Sequence, residues 1–352
     1  MGAMNRRKTC TIQDVARLAQ VSVATVSALS NGSAFVSEAL AERIRKAMAV
    51  LDYHPDRVAR SLRTGKTHAL GMVVPDVTNP FYPEVICGVE QAAQRAGYSL
   101  VLVNSNENPE QEQRGLQTLI SMRVDGLLIA CCNSTAAAYD VVGRRNIPAV
   151  FLDRVPSQGN TIRISTDNFK AGWVATKHLI DLGHHRIAIV AGRMELSPHA
   201  NRVEGFRKAM QEAGLPVLDD YFRTGSLSSD TGYSTGKQLL GLQRRPTAIF
   251  CTNNKSLLGL VRAMAECKVA CPDEVSVIGF DDFAWTENFH PRLTTIVQPT
   301  EELGRRGTEI LIGRIKMHDG NGEMTPIPLE PLLIEAELRI RESTAPPRSE
   351  AL

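Results

Sequence analysis

From Ala69 onward, short runs of apolar and β-branched residues alternate with longer amphipathic stretches. The apolar runs predict eight strands: LGMVVP, YSLVLVNS, DGLLIACC, IPAVFLD, RIAIVAG, TAIFCTN, VSVIGF and LTTIVQP. Between them, apolar residues at helical spacing predict helices over 82–96, 111–122, 169–182 and 203–213. Such alternation favours parallel sheets covered on both faces, and about 270 residues are too many for one sheet. The sequence therefore predicts two α/β subdomains.

The first 53 residues have a purely helical pattern. Three short helices are predicted, opened by the caps Thr11, Ser22 and Ser37. The apolar stripe of the third helix is Leu40, Ile44, Ala47, Met48 and Leu51. Two short helices joined by a tight turn and braced by a third form a helix-turn-helix, although periodicity alone fits a generic three-helix bundle about as well.

The charge distribution favours the helix-turn-helix. Residues 1–66 hold 11 Lys and Arg against 5 Asp and Glu, whereas the whole chain has a net charge of +2. A basic module on a mildly acidic body is typical of proteins that bind nucleic acid. Segment 54–66 places Leu62 among four cations, and an apolar side chain there suits insertion into the minor groove. The alternative is a flexible tether that contains a leucine by chance.

Composition and motifs argue against other classes of protein. The chain has no apolar run of about 18 residues and no secretory signal, which predicts a cytoplasmic protein without membrane contact. Its 7 cysteines lack metal-ligand spacing, which predicts reduced thiols and no disulfide, metal or cofactor. No phosphate-binding loop, GxGxxG turn or GxSxG elbow is present, and His184-His185 lies in a predicted helix-to-strand turn. We therefore expect no enzymatic activity.

Polar residues follow many of the predicted strands. They are Asp76 to Tyr82, Asn104, Asp153-Arg154, His199 to Arg202, Asn253-Asn254-Lys255 and Asp281-Asp282, with Asp167-Asn168 opening a helix nearby. Open α/β sheets bind ligands at the carboxyl ends of their strands. A mixture of carboxylates, amides, cations and aromatic rings at that edge suits a polyhydroxylated ligand.

The combined motifs resemble the lactose-repressor (LacI) family of bacterial transcription regulators. The similarity is carried by TIQDVARLAQVSVATVSALSNGSAFVS, by LDYHPDRVARSLRTGKTHALGMVVPDVTNPFY and by LTTIVQPTEELGRRG. It implies an all-α helix-turn-helix domain over 1–53, a hinge over 54–67 and an effector domain over 68–342, similar to periplasmic binding proteins.

The predicted boundaries divide the effector domain into two subdomains with parallel sheets. The N-subdomain comprises about 68–166 and 297–325, and the C-subdomain about 167–296 and 326–342. Residues 343–352 are expected to be a disordered tail, and because this tail has no leucine heptad we expect a dimer rather than a tetramer.

The resemblance also implies individual contacts to DNA. Thr11, Ser22, Ser27, Asn31 and Ser37 match positions at phosphates or groove edges, Val23 and Ala24 match base-reading positions, and Ala59 and Leu62 lie in the hinge with Leu62 as the wedge. The small side chains of Thr25 and Ala28 let the second helix approach DNA closely. Ala28 departs from the Arg or His frequent in the family, and Asp56 from the usual Asn. Direct hydrogen-bond readout is therefore thin, and thymine methyl contacts and DNA deformability should carry more of the specificity.

In the effector domain, the resemblance assigns ligand contacts to Phe81, Asp153, Arg154, Arg202, Asn253 and Asp281, and the strand-end pattern adds Asp167, His199 and Lys255. Three cations among these residues favour an oxidised or phosphorylated sugar over its neutral parent. The alternative is that Arg154 and Lys255 pair internally with Asp153 or Asp282.

The function expected from the sequence is that of a ligand-responsive repressor of a carbohydrate-related operon. It would act as a homodimer on a palindromic operator in the nucleoid of a bacterial cytoplasm, controlled by a sugar, sugar acid or sugar phosphate. The alternatives are a free solute-binding protein, disfavoured by the helix-turn-helix and the missing signal peptide, and a sugar-metabolising enzyme with a DNA-like N-terminus.

Overall fold

A computed structural model describes residues 10–31, 34–53, 65–132, 136–156, 161–319 and 330–348. The chain divides into two compact units, Met1–Thr67 and His68–Leu352.

The first unit contains three helices, α1 (Ile12–Ala19), α2 (Val23–Asn31) and α3 (Glu38–Val50). The Thr11 amide donates a hydrogen bond to the Asp14 carboxylate at 3.0 Å, and the Thr25 amide donates to Ser22 Oγ at 3.1 Å. These bonds satisfy amides at the starts of α1 and α2 that have no partner within the helix. Val15, Val26 and Ile44 form a fully buried core. The predicted helix-turn-helix is confirmed.

The second unit contains twelve strands among its described residues. They are β1 (Ala69–Val74), β2 (Ser99–Asn104), β3 (Gly126–Ile129), β4 (Ala149–Leu152), β5 (Ile162–Thr166), β6 (Ile187–Ala191), β7 (Phe222–Thr224), β8 (Ala248–Cys251), β9 (Ser276–Phe280), β10 (Thr294–Val297), β11 (Leu332–Ile334) and β12 (Glu337–Arg339). The helices are α4 (Phe81–Arg95), α5 (Pro109–Ser121), α6 (Asp140–Arg144), α7 (Asn168–Asp181), α8 (Ser197–Glu212), α9 (Ser229–Leu240), α10 (Asn254–Cys267), α11 (Ala284–Asn288) and α12 (Thr300–Asp319).

The strands form two six-stranded sheets with the same strand order. The first sheet has the order β11-β5-β4-β3-β1-β2 and the second the order β12-β10-β9-β8-β6-β7. All recorded pairings are parallel except that of β12 with β10. The first sheet with α4, α5, α6 and α12 forms the N-subdomain, and the second with α7 to α10 forms the C-subdomain. The expected fold class is confirmed.

Two of the predicted boundaries are wrong. Strand β11 pairs with β5 in the first sheet, so residues 332–334 belong to the N-subdomain rather than to a C-subdomain segment that begins at 326. The beginning of the expected disordered tail is ordered. Ser343 is fully buried, its hydroxyl donates to the Val277 carbonyl at 2.6 Å, and the Ala345 amide donates to Ser276 Oγ at 3.0 Å. These bonds dock the chain beside β9 through residue 345.

Within the described ranges, no helix is long and apolar enough to cross a membrane, and no cluster of His, Cys, Asp and Glu is arranged to hold a metal ion. The pair His184-His185 has a structural explanation, as expected. His184 is buried and its two ring nitrogens lie 2.9 Å from Thr247 Oγ1 and from the Ala345 carbonyl oxygen.

Candidate functional site

A cavity in the effector domain is lined by both subdomains. The N-subdomain contributes Asp76, Asn79, Phe81, Tyr82, Glu107, Asp153 and Arg154. The C-subdomain contributes Pro198, His199, Arg202, Leu227, Asn253, Asn254, Lys255 and Asp281, and Gln298 lies in the connection after β10. These segments follow the carboxyl ends of strands, where open α/β sheets bind ligands.

The cavity brings together every predicted effector residue except Asp167. The Asp167 side chain accepts a hydrogen bond from the Lys170 amide at 2.9 Å, which makes it the cap of α7. Its neighbour Asn168 takes part in the site indirectly, because Asn168 Oδ1 accepts a hydrogen bond from Arg202 at 2.7 Å.

Arg202 is a buried, oriented cation. Its Nε donates to Asn168, its Nη1 donates to the Thr252 carbonyl at 2.6 Å, and its guanidinium lies 3.4 Å from the centre of the Phe280 ring. Burial lowers the pKa of Arg202 to about 10, although the nearby Asp281 and Asp153 act in the opposite direction. The group is therefore charged at neutral pH and fixed in place before it meets a ligand.

Two buried aspartates occupy equivalent positions in the subdomains. Asp153 follows β4 and Asp281 follows β9, and both have left-handed backbone conformations with φ of 59° and 74°. This region is sparsely populated by residues other than glycine, and such residues cluster at functional sites. Asp153 accepts a hydrogen bond from Tyr82 at 3.2 Å, and Asp281 accepts from Asn254 at 2.9 Å. Burial raises the pKa of both carboxyl groups.

The other two cations of the cavity have carboxylate partners. Arg154 donates to Glu107 Oε2 at 2.8 Å, and Lys255 Nζ donates to Asp76 Oδ2 at 2.6 Å. The pairing is internal, but the partners differ from the expected Asp153 and Asp282.

Asp282 takes part in a separate network. Its carboxylate accepts hydrogen bonds from Arg339 at 2.6 Å and from Arg341 at 2.7 Å. It is therefore committed to strand β12 and the segment that follows it, and it does not line the cavity.

Two buried nitrogen atoms of the cavity have no hydrogen-bond partner among the described residues: His199 Nδ1 and Asn253 Nδ2. Asn253 Oδ1 accepts from the Ser256 amide at 2.9 Å and caps α10, which leaves the amide nitrogen for a ligand. Burial, with Arg202 and other cations nearby, lowers the pKa of His199 well below its ordinary value, so the imidazole is neutral. A buried polar atom without a partner costs free energy that a bound hydroxyl would recover.

Sequence reasoning missed Glu107, Pro198, Leu227 and Gln298 as lining residues. Gln298 directly follows β10, so the strand-end rule would have selected it if the predicted strand LTTIVQP had been ended two residues earlier, at Val297. Leu227 follows β7, a three-residue strand too short to give a periodic signal.

The exposed start of α2 presents the predicted base-reading residues. Ser22, Val23 and Ala24 are exposed, whereas Thr25, Ser27 and Ala28 are half-buried. Thr11 and Ser37, at the starts of α1 and α3, are exposed as well. The predicted contacts Ala59 and Leu62, and the side chain of Asn31, lie outside the described residues.

Helix α2, VATVSALSN, carries no charged side chain. A surface of methyl and hydroxyl groups can contact thymine methyls and phosphates but offers no long bidentate donor to guanine.

A helix-turn-helix on the same chain as a two-sheet ligand-binding domain is the architecture of a ligand-responsive, DNA-binding transcription regulator. Family comparisons agree. The profile of bacterial regulatory proteins of the lacI family matches residues 11–56, and the profile of periplasmic binding proteins and the sugar-binding domain of the LacI family matches residues 67–336. The chain belongs to the LacI family.

Individual relatives extend over most of the chain. The ribose operon repressor of Escherichia coli K12 is 39% identical over 91% of this chain and 98% of its own length. The transcriptional repressor PurR of Vibrio parahaemolyticus is 41% identical over 87% of this chain and 92% of its own length. The crystal structure of the Lac repressor dimer bound to operator and the anti-inducer ONPF is 27% identical, with a TM-score of 0.84 over 96% of this chain and all of that one.

Proposed function

We propose that this protein is a repressor that binds a two-fold symmetric operator as a homodimer and responds to a small neutral sugar. The observation that carries the effector assignment is the pair of unpartnered, buried nitrogens, His199 Nδ1 and Asn253 Nδ2, in a cavity that also holds Asp153 and Asp281. Carboxylates accept from sugar hydroxyls and the amide donates to them, so together they match the dual donor and acceptor character of a polyol.

A neutral ligand fits the charges better than the sugar acid favoured by the sequence. Lys255 and Arg154 each have a carboxylate partner within 2.8 Å. Arg202 has two carboxylates nearby that raise its pKa. A ligand carboxylate would have to displace one of these partners or lie beside Asp153 and Asp281. The similarity to a ribose operon repressor makes ribose the first compound to test.

The regulator class also implies where and how the protein acts. The dimer is supported by the similarity to the Lac repressor dimer on its operator. A regulator of chromosomal DNA acts in the cytoplasm, and we propose that it has no catalytic activity, because its relatives are repressors.

The effector proposal is tested by thermal-shift titration of the purified protein. Ribose, glucose and fructose are compared with gluconate and ketogluconate, and with free purine bases. We expect at least one neutral sugar to raise the melting temperature in a concentration-dependent way. Stabilisation by the acids alone, or by a purine alone, would contradict a neutral sugar effector while leaving the regulator class intact.

The DNA proposal is tested by selecting duplexes from a random pool with the intact protein. We expect palindromic sequences, and we expect their retention to be lost when residues 1–66 are removed. The wedge prediction for Leu62 is tested on the selected operator, where Leu62→Ala should weaken specific binding more than non-specific binding, because only the specific complex is kinked. Equal loss on both DNAs in a gel-shift titration would refute the wedge.

A further inference from the structure

We propose that Asp76, Asn79, Asn254 and Lys255 form a latch that closes the effector cavity independently of the effector. The inference rests on the proposed function of the cavity. The latch joins the segment after β1 in the N-subdomain to the start of α10 in the C-subdomain. It consists entirely of the chain's own side chains, so it acts whether or not a sugar is bound.

The central contact of the latch is an ion pair. Lys255 Nζ lies 2.6 Å from Asp76 Oδ2, and the exposed fractions of the two side chains are 34% and 15%. The Thr78 amide and hydroxyl donate to the other oxygen, Asp76 Oδ1, at 2.9 and 2.6 Å. Burial would raise the pKa of Asp76, but the hydrogen bonds from Lys255 and Thr78 hold it below its ordinary value. The carboxylate is therefore charged and oriented towards the lysine.

The second contact connects the latch to the ligand-binding residues. Asn254 Nδ2 donates to Asn79 Oδ1 across the cavity at 2.8 Å and to Asp281 Oδ2 within the C-subdomain at 2.9 Å. An amide nitrogen has two hydrogens, so one group can make both bonds. When the latch opens, Asn254 therefore loses its hydrogen bond to Asn79 of the N-subdomain, and this is the same amide nitrogen that donates to Asp281.

The charges on the two faces of the cavity are complementary. The N-subdomain lines it with three carboxylates, Asp76, Glu107 and Asp153, and one cation, Arg154. The C-subdomain lines it with two cations, Arg202 and Lys255, and one carboxylate, Asp281. Attraction between the faces favours closure, and the latch is where it becomes a direct contact.

As part of the latch, Lys255 positions the two subdomains and does not bind an anionic group of the ligand. A ligand that binds the closed form loses apparent affinity in proportion to the fraction of molecules that are open. By raising the closed fraction, the ion pair strengthens effector binding without touching the effector.

The latch is tested by measuring the distance between the subdomains in the full-length protein without any effector. Cys87 on α4 and Cys267 on α10 are exposed and can carry nitroxide labels for double electron–electron resonance. Cys10 and Cys271, which are partly exposed, are first changed to serine. Labelled subunits are diluted into an excess of unlabelled ones, so that distances within one chain dominate the signal.

We expect Lys255→Met and Asp76→Asn each to change the distribution of distances between the two labels. The ratio of molecules at the wild-type distance to molecules at other distances should fall about 2- to 5-fold, as expected for the loss of a partly exposed ion pair. The double variant should change the ratio no further than either single variant, because both remove the same contact. The control is Lys208→Met. It removes the 3.3 Å ion pair between Lys208 and Glu212, which lie on the same helix, and it should leave the distances between the labels unchanged.

Coincident distributions for Lys255→Met, Asp76→Asn and Lys208→Met would overturn the latch, as would additive effects in the double variant. Circular dichroism checks that each variant is folded. If Lys255→Met fails to fold, Asp76→Asn decides the question, because it keeps the side-chain volume. A negative result leaves the effector proposal standing, since the thermal-shift titration tests that proposal separately.

Discussion

The two subdomains of the effector domain have the same strand order, but they line the cavity with opposite net charge. Strand β4 of the first sheet and strand β9 of the second occupy the same place in their sheets, and each is followed by a buried aspartate with positive φ. The residues after these aspartates differ: Arg154 faces the cavity and pairs with Glu107, whereas Asp282 is bound by Arg339 and Arg341.

The comparison separates what the fold contributes from what individual side chains contribute. The repeated strand order explains why two carboxylates meet at one cavity, because the strand ends of both sheets converge there. It does not explain why the C-subdomain contributes Arg202, Asn253 and Lys255 to the lining, whereas the N-subdomain contributes a single cation, Arg154, among its described residues. The division into an acceptor-rich half and a donor-rich half is a property of the sequence alone.

The largest expected effect is that of removing the oriented cation. Arg202→Ala should weaken effector binding on the order of 100-fold, or about 2–4 kcal/mol, because a charge-assisted donor is lost from a buried site. Isothermal titration calorimetry with the compound identified by thermal shift measures this.

Operator binding without effector is the control for Arg202→Ala and should persist, because Arg202 lies in the effector cavity and not in the helix-turn-helix unit. If Arg202→Ala leaves the affinity for the effector unchanged, the description of the C-subdomain as the donor-rich half of the cavity is wrong.

Glycines at helix contacts offer a second test of the comparison. A Cβ added to Gly172 on α7 would lie 2.2 Å from the Arg202 carbonyl oxygen, and one added to Gly88 on α4 would lie 2.1 Å from the Glu301 carbonyl oxygen. Both changes force backbone apart, so each alanine variant should lower the free energy of unfolding by about 2–3 kcal/mol. Urea denaturation measures the loss.

The two glycine variants should differ in their effect on the cavity. Gly172→Ala displaces Arg202 and should also weaken effector binding, whereas Gly88→Ala contacts a residue that does not line the cavity. Gly313→Ala on α12 is the control, because nothing lies within 4 Å of its added Cβ, and it should stabilise the protein by about 0.5–1 kcal/mol. Equal effector affinity in the Gly172 and Gly88 variants would show that the contact with Arg202 does not matter.

The sequence predicted the strands that have continuous apolar runs. Seven of the eight predicted strands are mostly buried, whereas β2 has no buried residue, and such a run is readable without knowledge of its neighbours. Strand β5 (Ile162–Thr166) was missed although it is mostly buried, because Arg163 and Ser165 interrupt its apolar run. Strands β7, β11 and β12 have three residues each, and in β11 Leu332 and Leu333 are exposed. Such short edge strands depend on the sheet they join and not on their own pattern.

The candidate site was predictable as a set of residues but not as a set of contacts. The strand-end rule selected Arg154 and Lys255, but their partners Glu107 and Asp76 depend on how loops from different strands meet. Asp167 was misassigned because an aspartate before a helix looks the same in sequence whether it binds a ligand or caps the helix.

A third prediction concerns the residue after the buried aspartate of the C-subdomain. Hydrogen bonds from Arg341 and Thr286 lower the pKa of Asp282 to about 2, although burial opposes them. Because the folded pKa lies below the unfolded value, the stabilisation is present above about pH 4 and is lost as the pH falls towards 2. The difference corresponds to about 2 kcal/mol.

Between pH 4 and pH 2, the free energy of unfolding of Asp282→Asn should therefore fall by about 2 kcal/mol less than that of the wild type. Urea denaturation at each pH measures the difference. Asp273→Asn is the matched control in the same subdomain, since its pair with Arg348 is exposed and worth about 0.5 kcal/mol or less. If Asp282→Asn and Asp273→Asn follow the same acid profile, the buried clamp is not the source of the loss.

The smallest expected effect is that of the neutral imidazole of His199 in the C-subdomain on the pH dependence of stability, and it must be distinguished from the effects of the nearby carboxylates. Burial lowers the pKa of His199, so the unfolded chain binds more protons than the folded one once the pH falls below about 6.5, and stability decreases towards lower pH. Asp153 and Asp281 have raised pKa values and act with the opposite sign, so the total profile mixes both effects.

The difference between wild type and His199→Gln isolates the contribution of the histidine. Between pH 6.5 and 5.5, the free energy of unfolding of the wild type should fall by up to about 1.4 kcal/mol per pH unit more than that of the variant. The exposed His290→Gln serves as the control and should keep the wild-type slope. Parallel profiles for wild type and His199→Gln would mean that the imidazole accepts a proton in the folded cavity, and His199 would then belong with the cations of the donor-rich half.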